Sequence, residues 1–184
     1  MQLQRNVYLL MGLLPALMIL TACEPAEREA PQYDYGVAVV HSTEGNDVSG
    51  VVRFNREGEN IRVSADISGL PENSIHGFHV HEYGDCTAED ATSAGGHFDP
   101  HGIEHGGPDD EYRHVGDMGN LESDDEGNAS INYLDEEMAF SGAANILGKA
   151  VIVHAEADDL ESQPTGDAGA RIGCGVIGVA NPDM

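Results

Sequence analysis

Lysine is almost missing from this chain: Lys149 stands alone among 184 residues, beside seven arginines and thirty-three acids, for a formal charge of −25 with histidines neutral. A polyanion of this density repels nucleic acid and anionic lipid headgroups, which excludes nucleic acid as a partner. The same composition suits a saline habitat, where counterions screen like charges over short distances. Also missing is a run of the roughly 20 apolar residues that a membrane-spanning helix needs. The stretch from Val7 to Leu20 is shorter, and it closes on small residues followed by Glu24, Glu27 and Glu29. No segment keeps a helical repeat of apolar positions, and there is no internal repeat. Cysteine is scarce, with Cys23, Cys86 and Cys174 only.

The N-terminus has the layout of a cleavable export signal: Arg5, the apolar stretch, then Leu20-Thr21-Ala22-Cys23. Those four residues resemble the lipobox of bacterial lipoproteins, in which the cysteine becomes the first mature residue and carries lipid. The expected organisation is a signal peptide over 1–22, a flexible tether over 23–34 rich in Glu, Ala and Pro, and one folded domain over 35–184. Losing residues 1–22, which hold Arg5 and no acid, takes the charge from −25 to −26. With Cys23 lipidated, Cys86 and Cys174 are left to pair in an oxidising compartment or to stay as buried thiols.

Short β-type runs follow one another at Val37–His41, Val48–Phe54, Ile61–Ile67, His76–Glu82, Ala129–Leu134, Ala150–His154 and Cys174–Val179. Turn chemistry separates them, as in Glu44-Gly45-Asn46-Asp47 and Asp125-Glu126-Gly127-Asn128. The fold class is therefore all-β, a sandwich or barrel. Two polar segments, Asp85 to Asn120 and Ala155 to Arg171, are too long for hairpin loops, and loops of that length are usually functional.

The sharpest chemical signal is Gly77-Phe78-His79-Val80-His81, because alternate residues of a strand share a face and so present two imidazoles together. His97, His105, His114, Asp117 and His154 follow. Together they supply one four-imidazole site and one mixed site, provided one histidine serves both. Neutral imidazole suits copper and zinc, and three imidazoles with a carboxylate suit a closed, tetrahedral zinc site.

The segment Gly77 to Asp85 resembles the copper-binding strand of copper/zinc superoxide dismutases. Ser93-Ala94-Gly95-Gly96-His97-Phe98-Asp99-Pro100 resembles the family's bridging-histidine segment, while His105-Gly106-Gly107-Pro108 with Arg113-His114-Val115-Gly116-Asp117 resembles its zinc loop. Val151 to His154 and Gly169 to Gly178 resemble its last copper strand and C-terminal signature. The resemblance implies an eight-stranded Greek-key β-barrel, an immunoglobulin-like sandwich with two long functional loops. It implies copper, cycling between Cu(II) and Cu(I), on His79, His81, His97 and His154. It implies Zn(II) on His97, His105, His114 and Asp117. His97 would then be a bridging imidazolate, feasible only beside two cations. Asp158 would bind one ligand of each metal, His79 and His105, and so fix their orientation. Arg171 would orient the anionic substrate, superoxide, beside copper. Cys86 and Cys174 would form the family disulfide, with Cys86 placed as in bacterial members.

The implied reaction is dismutation of superoxide to O₂ and H₂O₂, with His97 delivering a proton as general acid. A metal-buffering or metal-delivering lipoprotein would use the same ligands but would not need Arg171. The chain departs from the family in its second loop, Glu156 to Ala170, which is short and has no lysine where many eukaryotic members carry a steering one. Steering of an anion toward this polyanion should be weak, so the rate should hold or rise from low to moderate salt. His76 reads as a structural hydrogen-bonding residue, His101 as a solvated loop residue, and His41 carries no functional signal. The whole reading is of a lipid-anchored bacterial member, monomer or homodimer, in the cell envelope facing the periplasm.

Overall fold

In the computed structural model, residues 32–183 are described; the expected signal peptide, Cys23 and most of the tether lie outside the described residues. Eight strands follow in chain order: β1 Tyr35–Ser42, β2 Ser49–Glu57, β3 Asn60–Ser68, β4 Ile75–His81, β5 Asp117–Glu122, β6 Ala129–Asp135, β7 Ala150–His154 and β8 Arg171–Val179. They form one antiparallel sheet in the order β5-β4-β7-β8-β1-β2-β3-β6. The two ends, β5 and β6, come to lie against each other, so the sheet curls into a nearly closed Greek-key barrel.

Period-2 alternation builds the core. On β1, β2 and β3 the inward residues Ala38, Val40, Val52, Phe54, Ile61 and Val63 are buried, while their neighbours face outward. β4 and β7 break that alternation, since His76–His81 and Ala150–His154 are buried throughout. Their inner residues Phe78, Val80, Val151 and Val153 join the barrel core. Ala150, Ile152 and Cys174 instead form a small cluster with Ala91 and Ala94 of the long loop. The two loops thus roof the outer wall of β4, β7 and β8, and the histidines sit beneath that roof.

Two expected boundaries change. The segment from Asp85 to Asn120 is not all loop, because β5 begins at Asp117. Asp-Met-Gly-Asn-Leu-Glu has weak strand propensity and a bulge opposite Phe78, where two residues including Gly119 at φ 75° face one. Arg171 does not end a loop but opens β8, opposite His154. Cys86 and Cys174 are joined in a disulfide, with Cα atoms 5.9 Å apart and a sequence separation of 88. Such a loop closure is worth about 4–5 kcal/mol by chain entropy.

Candidate metal centre

The seven residues singled out by type and spacing are gathered on the outer face of β4 and β7 under the loops. His79, His81, His97 and His154 offer ligand atoms within 4.8 Å of one another, as do His97, His105, His114 and Asp117. All seven are at least nine-tenths buried. Alternation on β4 delivers His79 and His81, and β7 delivers His154 on the adjacent strand. An isolated bridge between His81 and His97 lays the bridging segment alongside β4, with Phe98 N donating to Val80 O.

Each imidazole but one is anchored through one nitrogen to a group outside the two ligand sets. His79 Nε2 donates to Asp158 Oδ2 at 2.7 Å, His81 Nδ1 to Gly95 O at 2.9 Å and His154 Nδ1 to Gly169 O at 3.2 Å. His105 Nε2 donates to Asp158 Oδ1 at 2.9 Å and His114 Nε2 to Ile103 O at 3.0 Å. The exception is His97, whose Nδ1 lies 2.9 Å from Asp117 Oδ1 while its buried Nε2 has no hydrogen-bond partner. His79 Nδ1, His105 Nδ1 and His114 Nδ1 are likewise buried without a hydrogen-bond partner.

Four orphaned buried ring nitrogens are costly unless something binds them. A metal ion fits. Ligands about 2.0–2.1 Å from a tetrahedral centre stand about 3.3 Å apart. Asp117 Oδ1 lies 2.9 Å from His97 Nδ1, 3.0 Å from His105 Nδ1 and 3.2 Å from His114 Nδ1. In the other set, His81 Nε2 and His154 Nε2 stand 3.3 Å apart.

Electrostatics differ between the two sets. Burial disfavours charge on the all-imidazole set, lowering His97 to about 4 and His154 to about 3, with His79 and His81 lowered as well. These rings are neutral at pH 7, as metal ligation requires. In the mixed set burial also opposes charge, but the carboxylates of Asp117 and Asp158 overcome it and raise His105 to about 9. Asp117 is held well below the carboxylate range: burial works against its ionisation, and His105, His114, His97 and the Gly106 N–H outweigh it. Without metal, protons on this set stand where a cation would.

Asp158 lies between the sets, buried and bonded to one ring of each. Its backbone N–H and C=O pair with the Asn120 side chain at 2.8 and 2.9 Å. Gln163 pairs in the same way with the backbone of His105, at 2.8 and 2.9 Å. These two amides zip the second loop to the first. Sequence reading missed them, because amide-to-backbone pairing across 38 and 58 residues leaves no local pattern.

Arg171 makes no salt bridge among the described residues. Its Nη1 donates to Ala91 O at 2.7 Å and its Nη2 to Gly95 O at 2.6 Å. The Gly95 carbonyl therefore serves both Arg171 and His81. Gly95 sits at φ 78°, where a Cβ would fall 2.5 Å from Glu82 Oε2 and 2.7 Å from the Tyr83 ring, so any other residue would be strained there. Arg171 lines an open cavity of about 450 Å³ with Thr43, Asn46 and the carboxylates Glu44, Glu89 and Asp90. Lys149 donates to Glu82 O at 2.8 Å and stacks 4.5 Å over the Phe98 ring, bracing the bridging segment from outside. His76 is buried, with Nδ1 donating to His154 O at 2.9 Å and Nε2 against Ser74 Oγ at 2.7 Å, a structural role as expected. His41 and His101 are exposed.

Comparison with known proteins places these residues in context. The profile of the copper/zinc superoxide dismutase family matches residues 48–177. A superoxide dismutase [Cu-Zn] of Paramecium bursaria Chlorella virus 1 is 50% identical over 143 residues, covering 74% of this chain and 76% of its own. The crystal structure of the clock protein EA4 superposes with a TM-score of 0.76 at 36% identity, over 83% of this chain and 98% of that one.

Proposed function

Since the chain belongs to the copper/zinc superoxide dismutase family and is a superoxide dismutase with copper and zinc as cofactors, we propose that His79, His81, His97 and His154 hold the copper, that His105, His114 and Asp117 hold the zinc, and that zinc shares His97 with copper. The observation that carries this assignment is the His97 ring, the one imidazole that belongs to both ligand sets, with Nδ1 on Asp117 and a buried Nε2 that has no hydrogen-bond partner. Bound there, copper would supply the one-electron redox chemistry by which two superoxide ions and two protons become O₂ and H₂O₂, and zinc, which has none, would supply a fixed positive charge.

The remaining work falls to side chains. Arg171, pinned through both terminal nitrogens, holds its guanidinium on the same Gly95 carbonyl that anchors His81, where it orients a small anion beside the copper set. His97 Nε2 is the group placed to take up a proton and pass it to the reduced oxygen, while its Nδ1 stays committed to the zinc set. Asp158 fixes the tautomers of His79 and His105 so that their Nδ1 atoms face the metals. A carrier that only buffers metal would have no use for an arginine held in this way.

The same reading extends beyond the described residues. Leu20-Thr21-Ala22-Cys23 supports removal of residues 1–22 and lipid attachment at Cys23, anchoring the domain in the bacterial cell envelope, facing the periplasm. The disulfide agrees with an oxidising compartment.

Metal analysis and superoxide decay on one purified sample test the enzymatic assignment. One copper and one zinc per chain with fast dismutation are expected, and bound metal without turnover would refute it. A structure of the loaded protein with the His97 ring touching one ion or none would refute the bridge. Mass spectrometry of the mature N-terminus tests the anchor, which an unmodified Cys23 would exclude.

A further inference from the structure

Arg113, next to His114 in the zinc loop, is a buried arginine with its guanidinium fully engaged. It is 4% exposed, and its guanidinium makes four hydrogen bonds. Nε donates to Pro108 O at 3.2 Å, Nη1 to His114 O at 3.0 Å and to Asp117 O at 3.3 Å, and Nη2 to Asp135 Oδ2 at 2.8 Å. Two of those carbonyls belong to residues of the zinc set. Asp135, 1% exposed at the end of β6, receives Glu137 N and Met138 N on its other oxygen at 2.9 and 2.8 Å.

The position of this pair in the barrel matters as much as its bonds. β5 and β6 are the two ends of the sheet and share no ladder, so the barrel has one seam without backbone hydrogen bonds. Arg113 lies just before β5 and Asp135 closes β6, so the ion pair crosses that seam. Stability alone does not explain it, because a buried ion pair replaced by apolar residues of similar volume is often as stable or more so.

We infer that Arg113 and Asp135 form a clasp that closes the barrel seam and positions His114 and Asp117 for zinc, so that seam closure and zinc affinity are linked. Linkage is reciprocal: if the clasp tightens zinc binding, zinc tightens the seam. Arg113 and Asp135 are positioning residues, acting on zinc through the backbone of the residues that would bind it. The inference rests on the zinc assignment proposed above.

The test uses the full-length protein, Asp135→Asn and the double substitution Arg113→Met with Asp135→Leu, the latter meant to keep the fold while removing both charges. Zinc affinity is measured by chelator competition, and amide exchange on β5 and β6 is followed with and without zinc. Both variants are expected to bind zinc about 10–100-fold more weakly, as when an outer support of a metal ligand is lost. The double variant should do so even with a thermal midpoint at or above that of the unsubstituted protein when both are metal-free. Zinc should slow exchange at the seam in the unsubstituted protein and not in the variants. Zinc affinity within twofold of the original in either variant, or no zinc-dependent protection at the seam, would overturn the clasp while leaving the zinc assignment intact. Failure of the unsubstituted protein to bind zinc would overturn both.

Discussion

Replacing Asp158 by leucine should strip the protein of zinc before copper. The carboxylate accepts His79 Nε2 at 2.7 Å and His105 Nε2 at 2.9 Å, and Leu160 N at 2.7 Å as well. Leucine keeps the branched skeleton and removes all three hydrogen bonds, while the backbone bonds between residue 158 and Asn120 survive. Each lost hydrogen bond to a charged group is worth about 1.5–3 kcal/mol. What each ring does next depends on its setting. His79 stands in β4, laddered on one side to β5 and on the other to β7, so its backbone stays in place when the carboxylate goes. His105 stands in a loop, held at its backbone by Gln163, and the other nitrogen of its ring meets only Asp117, itself a member of the same ligand set. Loss of an outer partner typically costs 10–100-fold in metal affinity. The zinc site should therefore fall near the upper end of that range, about 2.7 kcal/mol, and the copper site near the lower, about 1.4 kcal/mol. Stepwise chelator competition on the loaded variant, with each metal counted at each step, reads the order directly. Copper leaving while zinc stays, or both affinities unchanged within twofold, would refute the reasoning.

The dismutation rate should hold or rise as salt is added to moderate levels, because Glu44, Glu89 and Asp90 line the same cavity as Arg171 and oppose attraction of an anion. A steep fall over that range in stopped-flow decay would contradict this. The metal-free protein should lose stability as pH falls below about 6.5. Burial holds His97 near 4 and His154 near 3 in the fold, so the unfolded chain binds more protons in that window and unfolding gains as pH drops. Asp117, whose folded pKa is also depressed, adds with the same sign at lower pH, whereas the contribution of His105 is present below about 6.5 and is lost as pH rises through about 9. A flat denaturation midpoint between pH 7 and 4.5 would exclude this account. Finally, Tyr133→Phe should be neutral or stabilising by up to about 1–3 kcal/mol, since the Tyr133 hydroxyl is buried without a partner. A clear drop in the denaturant midpoint would mean that the hydroxyl is satisfied in solution.

Much of the centre was legible because its ligands come with strong local syntax. His79 and His81 share a face by strand period alone, and His97, His105, His114 and Asp117 follow in one segment. The barrel wall was legible wherever alternation was clean, as in β1 to β3. β5 was not, because its sequence carries Asp, Gly and Asn and its strand character comes from pairing with β4 across a bulge. The supports were hidden for a related reason. Asn120, Gln163 and Asp135 act on backbone groups brought near only by the tertiary fold, so their roles have no signature in sequence. Arg171 was singled out from the sequence motif, but its grip on Ala91 O and Gly95 O depends on the course of a loop.

The two faces of β4 carry opposite cargo, Phe78 and Val80 inward and His79 and His81 outward. A frameshift of one place along the neighbouring strands would turn the imidazoles into the hydrocarbon interior and push the phenyl and isopropyl groups under the roof. Such a chain forfeits its ions and its oily centre in the same stroke. Proofreading of assembly is therefore written into a strand of seven residues, and a half-correct alignment has nothing to recommend it.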